Sequence, residues 1–195
     1  MNIKLTCLIS VIAVCSFSCR NTKKEQPAAT PPESSENDFV PYVALLNDQI
    51  RLVDSTPLAI FKYTTGSNGK TDTTIIQREE FHQLAKEFLE PDIMSAELRK
   101  DYTANSFGDK TTRLTNFTYD TKVPAHPVQR VNLRFIPGSP SKLTSLDILK
   151  RSSGVTQKLY WKSDYYFHIV TEAGDGKYTR VEVSWNAVVP EPDMP

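Results

Sequence analysis

From Phe117 to Trp185 large apolar residues recur at every second position, a pattern that restricts this stretch to antiparallel β structure buried on one side. The apolar set is Phe117 and Tyr119, then Val131, Leu133 and Phe135, then Leu146 and Ile148. It continues with Leu159 and Trp161, Tyr165, Phe167 and Ile169, and Val181, Val183 and Trp185. Between them stand Arg130, Asn132, Arg134, Asp147, Lys158, His168 and Glu182. Two earlier stretches have helical spacing instead. Residues 41–54 carry Val43, Leu46, Ile50 and Val53, and residues 78–89 carry Phe81, Leu84, Ala85, Phe88 and Leu89 on one stripe. Pro91 marks a break before a shorter helix through about Tyr102, and Gly66-Ser67-Asn68-Gly69 reads as the turn of a hairpin between residues 58–65 and 70–77. The expectation is an α+β fold: an antiparallel meander of about five or six strands, helices packed on one face, plus an N-terminal hairpin. One globular domain spans residues 39–189, before a tail broken by Pro190, Pro192 and Pro195.

Turns extend the pattern to registers. Gly174-Asp175-Gly176 suits a three-residue hairpin loop, which pairs Ile169 with Val181 and Phe167 with Val183. The same parity at Lys162-Ser163-Asp164 pairs Trp161 with Tyr165 and Leu159 with Phe167. On the polar face these registers align Lys158, His168 and Glu182 across three strands, with Asp147 beside Lys158 past Ser152-Ser153-Gly154. A neighbouring row holds Tyr160, Tyr166 and Ser184. Exposed tyrosines beside alternating charges make Lys158, Tyr160, Tyr166, His168 and Glu182 a candidate partner-binding set. The plainer reading is a solvated ladder of opposed charges.

The N-terminus carries an address. Lys4 precedes an apolar run over residues 5–17, which at 13 residues is signal-peptide length and short of the roughly 20 that a spanning helix requires. Ser16-Phe17-Ser18-Cys19 then resembles the lipobox of bacterial lipoproteins, with Ser16 standing where Leu is usual. The resemblance implies cleavage after residue 18, acylation of Cys19 as the new N-terminus and a membrane as partner. Arg20, where the inner-membrane sorting pattern has Asp, implies the outer membrane, and the lack of an acidic run after Cys19 points to its periplasmic face. Residues 20–38 contain no aromatic or large aliphatic side chain, so they read as a disordered tether. Extended toward polyproline II by Pro27, Pro31 and Pro32, about 19 residues reach roughly 60 Å.

Composition excludes several chemistries. Cys7, Cys15 and Cys19 are the sequence's three cysteines, so the expected globular domain has neither a disulfide nor a thiolate. Charge is balanced at 23 basic and 23 acidic residues and basic side chains are scattered, which argues against nucleic acid as a partner. His82, His126 and His168 lack metal-ligand spacing, and no cofactor fingerprint is present. Ser139-Pro140-Ser141-Lys142 has the S-x-x-K spacing of serine acyltransferases, but it sits in a turn, without the helix that chemistry requires. Glu79 and His82 have the spacing of one di-iron half-motif, and such a site requires two. Asp54-Ser55-Thr56 and Asp72-Thr73-Thr74 resemble the Asp-Ser/Thr-X acceptor of Bacteroidota O-glycosylation, a three-residue pattern that arises often by chance. The functional expectation is a membrane-tethered, non-catalytic binding or assembly module that uses the sheet face, its edges or the 66–69 loop. The alternatives are a carrier holding a lipid or apolar ligand between sheet and helices, as lipoprotein-carrier half-barrels do, and a small hydrolase with dispersed residues.

Overall fold

The order of strands in space decides the architecture. A computed structural model describes residues 39–138 and 142–186. The signal peptide, Cys19, the tether and the proline-rich tail lie outside the described residues. In chain order the elements are α1 (Tyr42–Ser55), β1 (Ile60–Gly66), β2 (Thr71–Ile76), α2 (Arg78–Leu89), α3 (Ala96–Arg99) and β3 (Tyr102–Asp109). There follow β4 (Leu114–Thr121), β5 (Val128–Phe135), β6 (Leu143–Ser152), β7 (Val155–Lys162), β8 (Tyr166–Glu172) and β9 (Tyr178–Ser184). All nine strands form one open antiparallel sheet in the order β2-β1-β9-β8-β7-β6-β5-β4-β3.

This corrects the α+β expectation. The fold is dominated by a single nine-stranded sheet, closer to all-β, rather than a meander of five or six strands with helices and a separate hairpin. Two causes account for the difference. The N-terminal hairpin is not an appendage: β1 pairs with β9, Phe61 opposite Ser184 and Thr64 opposite Val181, a join between segments far apart in sequence. The stretch expected to be helical through Tyr102 turns into strand there, because α3 ends at Arg99 and β3 begins at Tyr102. As an edge strand β3 buries only Tyr102 and Ala104, so Tyr-Thr-Ala-Asn-Ser-Phe lacks the strong alternation that would announce it.

The helices arise from local chemistry. α1 buries Tyr42, Leu46 and Val53, a stripe at helical spacing, and stops where Thr56 turns extended before Pro57. Gln49 shares that stripe: its Oε1 accepts from Trp161 Nε1 at 2.7 Å and its Nε2 donates to Ser163 Oγ at 2.9 Å. The indole N–H, buried with its ring, is thereby satisfied. α2 buries Phe81, Ala85 and Phe88, with Glu79 and Glu80 at its positive end and Lys86 near its negative one.

One sheet face holds the core. Leu133, Leu146, Trp161, Phe167 and Val183 stand directly opposite one another on β5 to β9, and all are fully buried. Rings from α2 lie on that row, Phe81 at 5.8 Å from Phe167 and Phe88 at 5.2 Å from Trp161, centroid to centroid. Farther out Phe39 stacks on Tyr119 at 5.1 Å, and Val40 N–H donates to the Tyr119 hydroxyl. Burial pushes the Tyr42 hydroxyl well above the ordinary tyrosine range; burial also raises the Tyr102 hydroxyl, which donates to Val128 O at 2.8 Å.

Parity held at every turn, but register did not. The loop Gly174-Asp175-Gly176, with Gly176 at φ +80°, pairs Ile169 with Val181 and Phe167 with Val183. At the preceding turn Trp161 pairs with Phe167 and Leu159 with Ile169, not with Tyr165 and Phe167. Asp164 takes the left-handed conformation at φ +69°, so the loop is Ser163-Asp164-Tyr165 and the pairing moves by two residues. A two-residue shift keeps every side chain on its face while changing all its neighbours.

Candidate binding face

The polar face of the sheet is set by these registers. One transverse row runs Tyr63, Glu182, His168, Tyr160, Asp147, Asn132 from β1 across β9, β8, β7, β6 and β5. The next row runs Arg180, Val170, Lys158, Leu149, Arg130, Asp120 from β9 to β4. On the other side Ser184, Tyr166, Lys162, Ser145 and Arg134 lie in line.

The proposed row of Lys158, His168 and Glu182 is therefore corrected. His168 does face Glu182, but its partner on β7 is Tyr160, and Lys158 faces Val170 one step along. Asp147 lies beside Tyr160, while Leu149 takes the expected place beside Lys158. The cause is again a turn. Ser153 and Gly154 both have positive φ, a two-residue hairpin that moves the pairing by two. Tyr166 is also not exposed: it retains 5% of its surface.

The aromatic side chains gather despite these shifts. Tyr160 stacks on His168 at 5.2 Å with planes 29° apart, Tyr166 stacks on His168 at 6.2 Å and 21°, and the two phenol rings contact each other at 5.9 Å, so the three rings form a triangular cluster. Arg180 Nη2 donates to Glu182 Oε2 at 2.8 Å and lies 3.3 Å from His168 Nδ1. A guanidinium only donates, so this contact requires Nδ1 as acceptor, which places the ring proton on Nε2. The imidazole is packed against two mutually contacting phenols and oriented by a cation.

Beside this stack is a shallow depression of about 310 Å³. Arg130, Asn132, Asp147, Lys158, Tyr160 and His168 line it, with Leu149 among them. Each long charged side chain has an acidic or basic neighbour. Arg130 Nε donates to Asp120 at 2.6 Å, Lys158 Nζ to Glu172 at 2.8 Å, and Arg134 Nη1 to Asp147 at 2.7 Å and to Ser145 Oγ at 3.0 Å. The Asp120 carboxylate beside Arg130 raises that guanidinium further above its already high range, so the charge is permanent.

The other sequence candidates are dispersed. His82 pairs with Asp54 at 2.8 Å rather than with Glu79, and His126 with Asp101 at 2.9 Å. Among the described residues no group of three or more His, Cys, Asp or Glu side chains is placed to hold a metal ion. Ser139, Pro140 and Ser141 of the S-x-x-K stretch lie outside the described residues. Ser55 donates to Leu52 O near the end of α1, and Thr73 stands exposed on the edge strand β2. Sequence reasoning missed Arg180, Leu149 and Asn132 as site residues. Parity alone put all three on the right face or left them available to it, and only the registers show what they neighbour. No known family model matches the chain, and no curated protein matches it.

Proposed function

We propose that this chain is a lipid-tethered, non-catalytic binding module of the outer membrane, anchored through Cys19, whose partner seats on the polar sheet face over the depression around Leu149. The depression carries this reading: apolar Leu149 and the Tyr160 ring lie within a rim of cations, a carboxylate and an amide. A small apolar floor with convergent polar groups is the usual composition of a recognition surface. The interior is a poorer place for a ligand. Rings of Phe81, Phe88, Trp161, Phe167 and Trp185 contact one another at 5.0–6.0 Å and occupy the space between α2 and the sheet.

Two measurements bear on it. A photoreactive residue placed at Lys158 should give a discrete crosslinked species in intact cells, diminished by Tyr160→Ala. The same probe at Gln83, exposed on α2, should not. Equal crosslinking from both positions, or none from Lys158, would remove the face as the binding surface. The anchor is tested separately by intact mass of the membrane-extracted protein. Loss of residues 1–18 plus the mass of acyl chains is expected, and a soluble, unmodified form would contradict it.

A further inference from the structure

The two edges of the sheet are not alike. Successive residues of an edge strand turn their backbone N–H and C=O groups alternately toward the neighbouring strand and away from it. In the first hairpin Gly66 N–H donates to Lys70 O at 3.3 Å. With the β1–β2 register, that bond directs the groups of Asp72, Thr74 and Ile76 toward β1 and those of Thr71, Thr73 and Ile75 outward. At the far edge Lys122 N–H donates to Asp101 O at 2.8 Å, which turns Tyr102, Ala104, Ser106 and Gly108 of β3 outward. Tyr102 and Ala104 are buried, so half of that edge lies among core side chains, whereas residues 71–75 are all exposed.

No donor or acceptor among the described residues meets the outward groups of β2. Thr71–Ile76 contains neither proline nor lysine, and its pairing with β1 runs without a bulge, so the usual devices that blunt an edge are missing. Its single charge is Asp72. A strand pairs antiparallel with its own copy about a two-fold axis, and three registers join at least two of the outward residues. Centred on Asp72, the pairing sets that carboxylate against its copy and Ile75 against Gly69, whose N–H already donates to Gly66 O. Centred on Thr74, it sets Thr71 against Gln77, whose carbonyl already accepts from Phe81 N–H in α2. Centred on Thr73, it joins Thr71 to the copy's Ile75 and Thr73 to the copy's Thr73, and every outward group finds a partner.

We infer that two copies of this chain pair edge to edge through β2, centred on Thr73, and join their sheets into one. Side chains agree with this register. Ile75, which retains 65% of its surface, comes against the copy's Thr71, and the two Thr73 hydroxyls meet on the axis. Asp72 stands opposite the copy's Thr74, a hydroxyl donor for its carboxylate, rather than opposite a second acid. The axis runs perpendicular to the sheet, so both polar faces lie on the same side and the row Thr73, Tyr63, Glu182, His168 continues into its copy. Residues 71–75 make a contact smaller than a stable soluble dimer buries, so pairing depends on confinement of both copies to one surface, as the anchor proposed above supplies.

The test places one cysteine in β2 of the full chain. Cys7, Cys15 and Cys19 are the sequence's three cysteines, so the unsubstituted chain is the control for links made elsewhere. In the inferred register the two copies of residue 73 have Cα atoms ~5.5 Å apart, within disulfide reach. The copies of residue 72, and likewise of residue 74, are about 8 Å apart, beyond it. Thr73→Cys, Asp72→Cys and Thr74→Cys are expressed singly, oxidised in intact cells with copper phenanthroline and separated without reductant. A linked species of doubled mass is expected from Thr73→Cys, and roughly tenfold less from the other two. A link favoured at 72 or 74 would overturn the register, equal links at all three would reflect chance collision, and no link at any would overturn the pairing. Thr73→Pro removes an outward N–H and leaves the bonds to β1 intact, so the melting temperature should hold. Introduced into coexpressed Thr71→Cys and Ile75→Cys chains, it should abolish the link that those two form with each other. Persistence of that link would show that no backbone ladder joins the copies and would overturn the inference.

Discussion

Phe167→Ala is expected to lower stability by about 3–5 kcal/mol, through lost transfer energy and the cavity it leaves. The ring is fully buried, in contact with Phe81, Phe88, Trp161 and Trp185. Those four neighbours also contact one another, Phe81 with Trp185 and Phe88 with Trp161, so none can move into the space without abandoning another. Collapse is therefore limited, which places the cost toward the upper end of the range. One residue along the strand the side chain points to the other face. His168→Ala removes a partly buried imidazole and cross-strand contacts, and should cost under about 1 kcal/mol. Urea titration of both variants measures the contrast as a difference in midpoint. Equal losses at 167 and 168 would show that the sheet is not divided into one buried and one solvated face.

Parity is the part of this fold that the sequence states outright. Leu133, Leu146, Trp161, Phe167 and Val183 can be placed on one face from alternation alone, since hydrophobic transfer penalises any strand that turns its large side chains to water. Alternation is silent about shifts of two. Whether Trp161 faces Tyr165 or Phe167 depends on whether the loop closes as residues 162–164 or 163–165 around the left-handed Asp164, and both closures preserve the alternation. The extent of the sheet was equally hidden. Thr-Ala-Asn-Ser in β3 is an edge sequence with little to bury, recognisable as a strand only through its partner β4, and the 58–77 hairpin was legible by itself but its join to β9 was not.

The candidate site inherits this difficulty. Arg130, Lys158 and Arg180 are separated by more than twenty residues at each step, so their alignment is a property of registers accumulated over four hairpins. A two-residue error at one turn moves every later strand of the row. The expected neighbours of Lys158 were lost in that way, His168 among them, while His168 and Glu182 kept each other because the Gly174–Gly176 loop was assigned correctly. A binding surface made across strands is thus harder to read than one made along a helix, where spacing in sequence is spacing in space.

Lys150 shows the same logic in the core, and its replacement is the second change expected to have a large effect. It follows Leu146 and Ile148 at period two, so its side chain enters the buried face, where it retains 8% of its surface. Its ammonium reaches the end of α2 and donates to the carbonyls of Glu87 and of Glu90, the latter at 2.8 Å, and to Glu87 Oε2 at 3.2 Å. The last carbonyls of a helix have no intrahelical donor and carry the negative end of its dipole, so a cation there satisfies both requirements. Lys150→Met keeps most of the apolar stem and leaves those carbonyls without their donor. Hydrogen bonds from a charged donor contribute about 1.5–3 kcal/mol each, but Glu87 is half exposed and its carboxylate regains water. A net loss of about 2–3 kcal/mol is expected, with faster amide exchange at Phe88, Leu89 and Glu90 than elsewhere in α2. Glu87→Gln supplies the comparison: it removes only the partly exposed ion pair and should cost under about 1 kcal/mol. If both substitutions are mild and exchange at the end of α2 is unchanged, Lys150 serves as no more than a surface ion pair, and the junction of α2 with β6 is held by apolar packing alone.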